Sequence, residues 1–402
     1  MNLKNKKVKK CLLCGQKNLT KIFTLGNLYV SNFVKKSDIH RMPKCPLTLV
    51  YCKSCTLVQL SHIAPQEIMY KRFYWYRSGV TNTMKKGLKD IYINSLRHVE
   101  INKKDVVLDI GANDGTMLNY YKKNFTTIGC EPAKNLTKHL KKNCHHVINN
   151  FWDKKNLDTV LKKNKLKKPK IITAIGMFYD LENPMKFIGD IAKSLDEKGI
   201  FVAQLMCLNS MIKQNDLGNI CHEHIEFYSH KSLKYLFEKS GLEIFKLEEN
   251  DINGGSYRIY ARKYKRGSIN LPPENVLSML KNFYKRVNLN KQRTLNYLEK
   301  LRKKNKVVFL YGASTKGNTL LQYYNLDSSK IPFAAERSKE KFGKHTVGTG
   351  IRIISEKKAR KMKPDYFFIT PWAFIKEFIK REKTWRKKGG RFILPYPKFK
   401  II

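Results

Sequence analysis

The 402-residue sequence has no apolar run near the ~20 residues that a membrane-spanning helix needs. Its first ten residues are basic and polar with no apolar stretch behind them, so no export signal is expected and a cytoplasmic setting is. Repeats and low-complexity linkers are missing, which excludes solenoids and flexible tethers. Acidic residues are scarce: 32 Asp and Glu stand against 80 Lys and Arg, for a formal net charge of +48. Such a balance invites a nucleic-acid partner. Arginine is scarce too, at 16 of the 80 basic residues, and the lysines run along the whole chain rather than along one arm or face. Drift in composition accounts for much of that excess, and attraction to small phosphorylated anions for the rest; nucleic acid is not the expected partner.

What is present supports sizeable cores, with 42% hydrophobic and 11% aromatic residues. Nine cysteines include Cys11-x-x-Cys14 and Cys52-x-x-Cys55. Two such pairs supply the four thiolates of a closed, structural zinc site. The 37 residues between them predict a stapled, loop-like front unit over 1–65.

Residues 66–265 hold a helical pattern from about Val80 to His98, then apolar strands alternating with amphipathic helices. Strands are expected at 106–110, 127–130, 170–175 and 199–204, the rhythm of a doubly wound sheet. Residues 266–402 open on a charged helix over 272–304 and resume βα alternation, with strands at 306–311, 331–335 and 365–369. The fold class is therefore α/β, with two Rossmann-like units behind a small zinc-binding module.

Val107-Leu108-Asp109-Ile110-Gly111-Ala112-Asn113-Asp114-Gly115 joins a buried strand to a helix through small residues. Gly111 lets backbone approach a ligand, and Asp109 can accept from a cationic amine. The third glycine of a dinucleotide fingerprint is displaced, and the acidic character suits a sulfonium amino acid, S-adenosylmethionine, better than a pyrophosphate. Glu131, 22 residues after Asp109 at the end of the next strand, is placed for ribose hydroxyls. Cys221-His222-Glu223-His224 pairs histidine with an acid, a general base and its tuner, or else simply packed histidines. The spacing lacks the His-Glu-x-x-His arrangement of a catalytic metal. Asn253-Gly254-Gly255-Ser256-Tyr257-Arg258 reads as a hairpin turn or as backbone close to a ligand, with Arg258 near a phosphate. Gly312-Ala313-Ser314-Thr315-Lys316-Gly317-Asn318 follows a strand and opens a helix, an anion cradle without Walker order. Phe73-Tyr74-Trp75-Tyr76-Arg77-Ser78-Gly79 is an aromatic run fit for a core or for a phenol beside a carbonyl.

In this order the motifs resemble the sugar C-methyltransferase family. Its members act on nucleotide-linked 4-keto-deoxysugars and place a methyl on carbon 3. The resemblance extends nearly end to end, through Pro46-Leu47-Thr48-Leu49, Cys55-Thr56-Leu57-Val58-Gln59-Leu60, Tyr76-x-Ser78 and the motifs above. It implies a class I methyltransferase domain, bound S-adenosylmethionine, structural zinc and a C-terminal nucleotide-sugar-binding domain. It implies His224 as base supported by Glu223, with Tyr76 and Tyr179 beside the sugar. Cofactor contacts are expected from Ser78, Asp109, Gly111, Ala112, Asn113, Gly115, Glu131, Pro132, Phe151, Gly176 and Met177. Substrate contacts are expected from His222, Asn253, Arg258, Gly312, Ala313, Ser314, Lys316, Gly317, Asn318 and Arg337. Tyr179 stands where relatives often carry histidine, and Cys221 where some carry tyrosine. Asn149-Asn150-Phe151 replaces a segment that often holds an acid near the adenine.

Two other readings compete. A nucleic-acid methyltransferase would draw on the charge, yet the Asn/Asp-Pro-Pro-Tyr/Phe signature is absent after Ile175, where Gly176-Met177-Phe178-Tyr179 stands. A non-catalytic nucleotide-sugar-binding protein would have no use for an intact cofactor loop beside a His-Glu pair. The sequence leaves the oligomeric state open.

Overall fold

The computed structural model describes residues 5–65, 67, 69 and 74–402; Phe73 of the aromatic run lies outside them. Three sheets organise the chain. The central sheet has seven strands in the order Leu242–Asn250, Ser256–Lys263, Ile200–Met206, Ile171–Ile175, Val106–Ile110, Thr126–Cys130, His146–Ile148. Only Ser256–Lys263 is reversed; it runs antiparallel to both its neighbours, and the remaining pairings are parallel. Helices cover both faces, so Val106–Ile110 and Ile200–Met206 are buried along their full length and are apolar apart from Asp109 and Gln204.

The C-terminal sheet has eight strands in the order Lys400–Ile401, Arg391–Leu394, Tyr366–Ile369, Val308–Tyr311, Phe333–Glu336, Arg352–Ser355, His345–Thr346, Phe33–Val34. Its five inner strands, from Arg391–Leu394 to Arg352–Ser355, are parallel. In both large sheets the chain lays the first of the parallel strands in the middle, builds outward on one side, then returns to the other. That reversal leaves a crevice at the carboxyl edge, between Val106–Ile110 and Ile171–Ile175 in one sheet and between Val308–Tyr311 and Tyr366–Ile369 in the other. Such switch points are where doubly wound sheets hold ligands.

The front unit departs from the loop-like expectation. Leu19–Tyr29 and Lys44–Cys52 form a long antiparallel hairpin, with Val58–Leu60 and Glu226–Phe227 completing a four-stranded sheet. Register shifts after Lys21 and Thr24 break the period-two pattern, which is why the strand is hard to see in sequence. The expected helix after Gly115 also shrinks, to Leu118–Tyr121. The units are interlaced: Phe33–Val34 joins the C-terminal sheet, and Glu226–Phe227 is lent to the front sheet. The 28-residue helix Val276–Lys303 braces both, with Tyr284 stacked on Phe23 at 4.5 Å. Among the described residues no helix is long and apolar enough to cross a membrane.

The two glycines of the 253–258 motif serve packing. Gly254 and Gly255 have φ of +90° and +125°, and a Cβ on Gly255 would sit 2.2 Å from Cβ of Ser210. Gly255→Ala should lower stability by about 1–3 kcal/mol from backbone strain alone. A thermal melt unchanged from wild type would refute this account of the turn.

Candidate active site

The residues after the first central strand make a tight cup. Gly111 has φ +72°, and a Cβ there would meet Met177 at 2.7 Å, so the loop following Val106–Ile110 seats directly on the loop following Ile171–Ile175. Asp109 is buried and accepts from the Thr173 hydroxyl at 2.6 Å. Burial pushes its carboxyl up to about 7, and the Thr173 bond opposes that rise. A ligand ammonium beside it would favour the carboxylate. Glu131 takes the backbone N–H of Asn113 and of Ala133, each at 2.9 Å, which holds both oxygens at the cup's rim. Asn113 binds the aromatic segment: it accepts from the Ser78 N–H at 3.0 Å and donates to the Tyr76 carbonyl at 3.1 Å. Asp114 accepts the Gly79 N–H, and Asn135 exchanges two hydrogen bonds with the Tyr74 backbone. Residues 74–79 thereby strap the cup.

A single cavity of about 550 Å³ runs from this cup to the C-terminal sheet. Its walls include Tyr76, Ser78, Asp109, Gly111, Ala112, Asn113, Glu131, Pro132, Phe151, Gly176 and Met177 at one end. Tyr179, Glu223, His224 and Asn253 lie in the middle, and Ser314 and Lys316 at the far end. Gly115 is off the wall, since its Cα faces Asn143 and Leu140 of the helix Lys134–Asn143.

His224 is 3% exposed. Its Nδ1 lies 2.8 Å from the Asn219 carbonyl, which can only accept, so Nδ1 carries the proton and Nε2 is the basic nitrogen. Burial, and then the nearby Lys316 ammonium, hold the imidazole well below its usual range, in the neutral form. The Tyr179 ring meets it edge-on at 4.5 Å. The Tyr179 carbonyl also accepts from the N–H groups of Ile225 and Glu226, fixing the segment's path. Glu223, expected to support His224, accepts from the Thr315 hydroxyl of the C-terminal unit at 3.0 Å.

Several expected contacts sit elsewhere. His222 donates from Nε2 to the Cys45 carbonyl at 2.9 Å, and burial drives its pKa down to about 4, so it anchors the loop to the front sheet. Arg258 turns to Asp90 of the helix Asn82–Leu96 at 2.6 Å and to Gln204, its register partner on the neighbouring strand. Arg337 pairs with Glu377 at the surface. Gly312, Ala313, Gly317 and Asn318 lie behind the wall, where Gly317 packs on Thr370 and Ala313 donates to Glu336. The cavity also takes residues that no motif marked: Asp216, Asn219, Thr370 and Trp372, with Tyr74 and Thr315 from runs already noted.

Three family profiles match the chain in order: a zinc binding domain at residues 11–70, a methyltransferase domain at 84–247 and a C-methyltransferase C-terminal domain at 251–397. C-methyltransferase NovU of Streptomyces niveus is 23% identical over 412 residues, spanning 98% of this chain and 97% of that protein. The chain is an S-adenosylmethionine-dependent methyltransferase, and its three matched domains resemble those of the C-methyltransferases nearly end to end. Solved structures similar to this chain include an S-adenosylmethionine-dependent methyltransferase from Clostridium acetobutylicum (11% identity, TM-score 0.32, 45% of this chain and 92% of that one). Another is the magnesium protoporphyrin IX methyltransferase of Synechocystis (10% identity, TM-score 0.34, 45% and 84%).

The cysteines fit zinc. All four sulfur atoms of Cys11, Cys14, Cys52 and Cys55 lie within 4.8 Å of one another, and Cys11–Cys55 and Cys14–Cys52 are each 3.5 Å apart. Tetrahedral thiolates around zinc at ~2.3 Å stand about 3.8 Å apart. Four thiolates leave no open position for a substrate. Cys52→Ser should release the metal and lower the melting temperature of the methyltransferase by ~5–10 °C. Elemental analysis showing full zinc in that variant would exclude this ligand set. Glu131→Gln should weaken S-adenosylhomocysteine binding ~10-fold by calorimetry; unchanged affinity would take Glu131 out of the cofactor's contacts.

Proposed function

We propose that this methyltransferase methylates a carbon beside a ketone in a nucleotide-linked deoxysugar. One observation carries the reading: a single cavity joins the switch-point crevices of two Rossmann-like sheets, with a neutral, oriented histidine between them. One crevice suits the cofactor, leaving the other for the nucleotide of the acceptor. There the helix Thr315–Tyr323 directs its N-terminus toward the cavity, capped by Ser314, with Lys316 in its first turn. Partial positive charge and a cation in one place favour a diphosphate.

In this reading His224 Nε2 removes the proton alpha to the ketone. A histidine kept neutral is ready to accept at physiological pH, and the buried Nδ1–H bond to Asn219 stabilises the imidazolium that forms. Negative charge moves to the ketone oxygen. Tyr179, Tyr74 and Tyr76 are among the phenols on that part of the wall, and burial raises the Tyr179 phenol well above its ordinary range, so it remains a donor. S-adenosylmethionine supplies the electrophilic methyl when bound. Nucleotide binding at the far end contributes energy to hold the sugar carbon in line.

Incubation with methyl-labelled S-adenosylmethionine tests this. Label should enter a 4-keto-6-deoxy sugar nucleotide and not RNA; the reverse would overturn the proposal. His224→Asn should lower the rate of transfer by ~10²–10⁴-fold while S-adenosylhomocysteine still binds. Retained activity would remove His224 as base.

A further inference from the structure

The seam between the two large sheets is polar and buried, and it ends on the base. Lys316 Nζ, from the C-terminal unit, donates to Asn219 Oδ1 at 2.8 Å. The Asn219 Nδ2 donates to Asp216 Oδ2 at 3.1 Å, and the Trp372 indole N–H reaches the same oxygen at 3.0 Å. Asn219 is 2% exposed and Asp216 6%. The Asn219 backbone carbonyl is the acceptor for His224 Nδ1. Both ends of this short residue are thus committed, one to the histidine of the methyltransferase domain and the other to a lysine from the neighbouring domain. All five residues border the cavity.

We propose that Lys316 and Asn219 are positioning residues for His224, through which the C-terminal domain holds the ring of the base in its reactive tautomer and neutral form. The inference rests on the reading of His224 as the base. It gives Lys316 a task apart from phosphate binding, since one of its three N–H donors is spent on Asn219. A side-chain amide clamped at both Oδ1 and Nδ2 cannot rotate, so the carbonyl of the same residue keeps its aim. Imidazole orientation through a carbonyl partner on the non-reacting nitrogen is an effective way to fix which nitrogen is basic.

The charge of Lys316 acts in the same direction. The titratable groups that border this part of the cavity include Asp216 and Glu223 from its own loop, Tyr179 and Asp180 after Ile171–Ile175, Tyr74 and Tyr76 from the strap, and Tyr396 from the C-terminal unit, with Lys186 and Lys341 on the same cavity. Of the lysines that border the cavity, Lys316 is the one whose charge acts on the ring, and it opposes protonation. With that cation removed, the imidazolium is favoured and the titration of His224 moves to higher pH.

Full-length protein carrying isotope-labelled histidine permits a direct test, with the His224 resonance assigned by its loss in His224→Asn. Lys316→Met should raise the His224 titration midpoint by about one pH unit. Asn219→Ala should broaden or shift the ring resonance away from the Nδ1-protonated tautomer. Lys316→Arg should restore the wild-type midpoint. S-adenosylhomocysteine binding by calorimetry should be the same in all four variants, which shows that the methyltransferase domain is folded. The proposal is overturned if the His224 midpoint and tautomer are unchanged in Lys316→Met and Asn219→Ala. It is equally overturned if Lys316→Met weakens thymidine diphosphate binding ~10-fold with no movement of the His224 resonance, which would leave Lys316 a phosphate ligand alone. Failure of the base reading itself shows separately, as methyl transfer retained in His224→Asn.

Discussion

Two parallel sheets open their carboxyl-edge crevices toward one another, and the centre of the molecule depends on holding those two edges in register. Apolar packing alone would let them slide, because it is non-directional. The register comes from directional contacts: Thr315 to Glu223, Lys316 to Asn219 and Trp372 to Asp216. Each removes a polar group from water and is tolerated because it is met by a partner from the opposite unit. A seam of this kind is expensive to break and specific in its geometry, which suits a reaction centre assembled from two domains.

The interlaced strands serve the same end. Phe33–Val34 extends the C-terminal sheet, and Glu226–Phe227 extends the front sheet two residues after His224. The Leu60 N–H bonds to the Ile225 carbonyl, and the Thr56 hydroxyl meets that of Ser229 at 2.6 Å. Thr56 directly follows Cys55, so the cysteine cluster fixes the strand against which the histidine segment is laid. Zinc held by that cluster would act on the His224 segment by a mechanical route, through backbone pairing.

Much of the fold was legible because buried parallel strands read as mostly apolar runs. Val106–Ile110, Ile171–Ile175 and Tyr366–Ile369 fall within a residue of expectation for that reason. The front hairpin was hidden because bulges broke the alternation of Leu19–Tyr29, and cysteines drew the eye to loops. The cofactor cup was visible as a local pattern of small residues, strand and acid. Arg258 and His222 show the limit of that approach. Both sit in suggestive motifs, and both are consumed by neighbours 168 and 177 positions away, Asp90 and the Cys45 carbonyl.

The strands and turns of the two large sheets, the two Cys-x-x-Cys pairs and the loop around Gly111 were determined by the sequence itself, since each depends on neighbours a few residues apart. Tertiary structure decided the rest. No spacing rule links Asn219 to Lys316, or Glu223 to Thr315, because those pairs are 97 and 92 positions apart and meet only when two separately built sheets dock. Which nitrogen of His224 is basic followed from a backbone carbonyl, and every residue type has one. A contact made by a group common to all residues leaves no mark in sequence, and only the folded chain shows where it points.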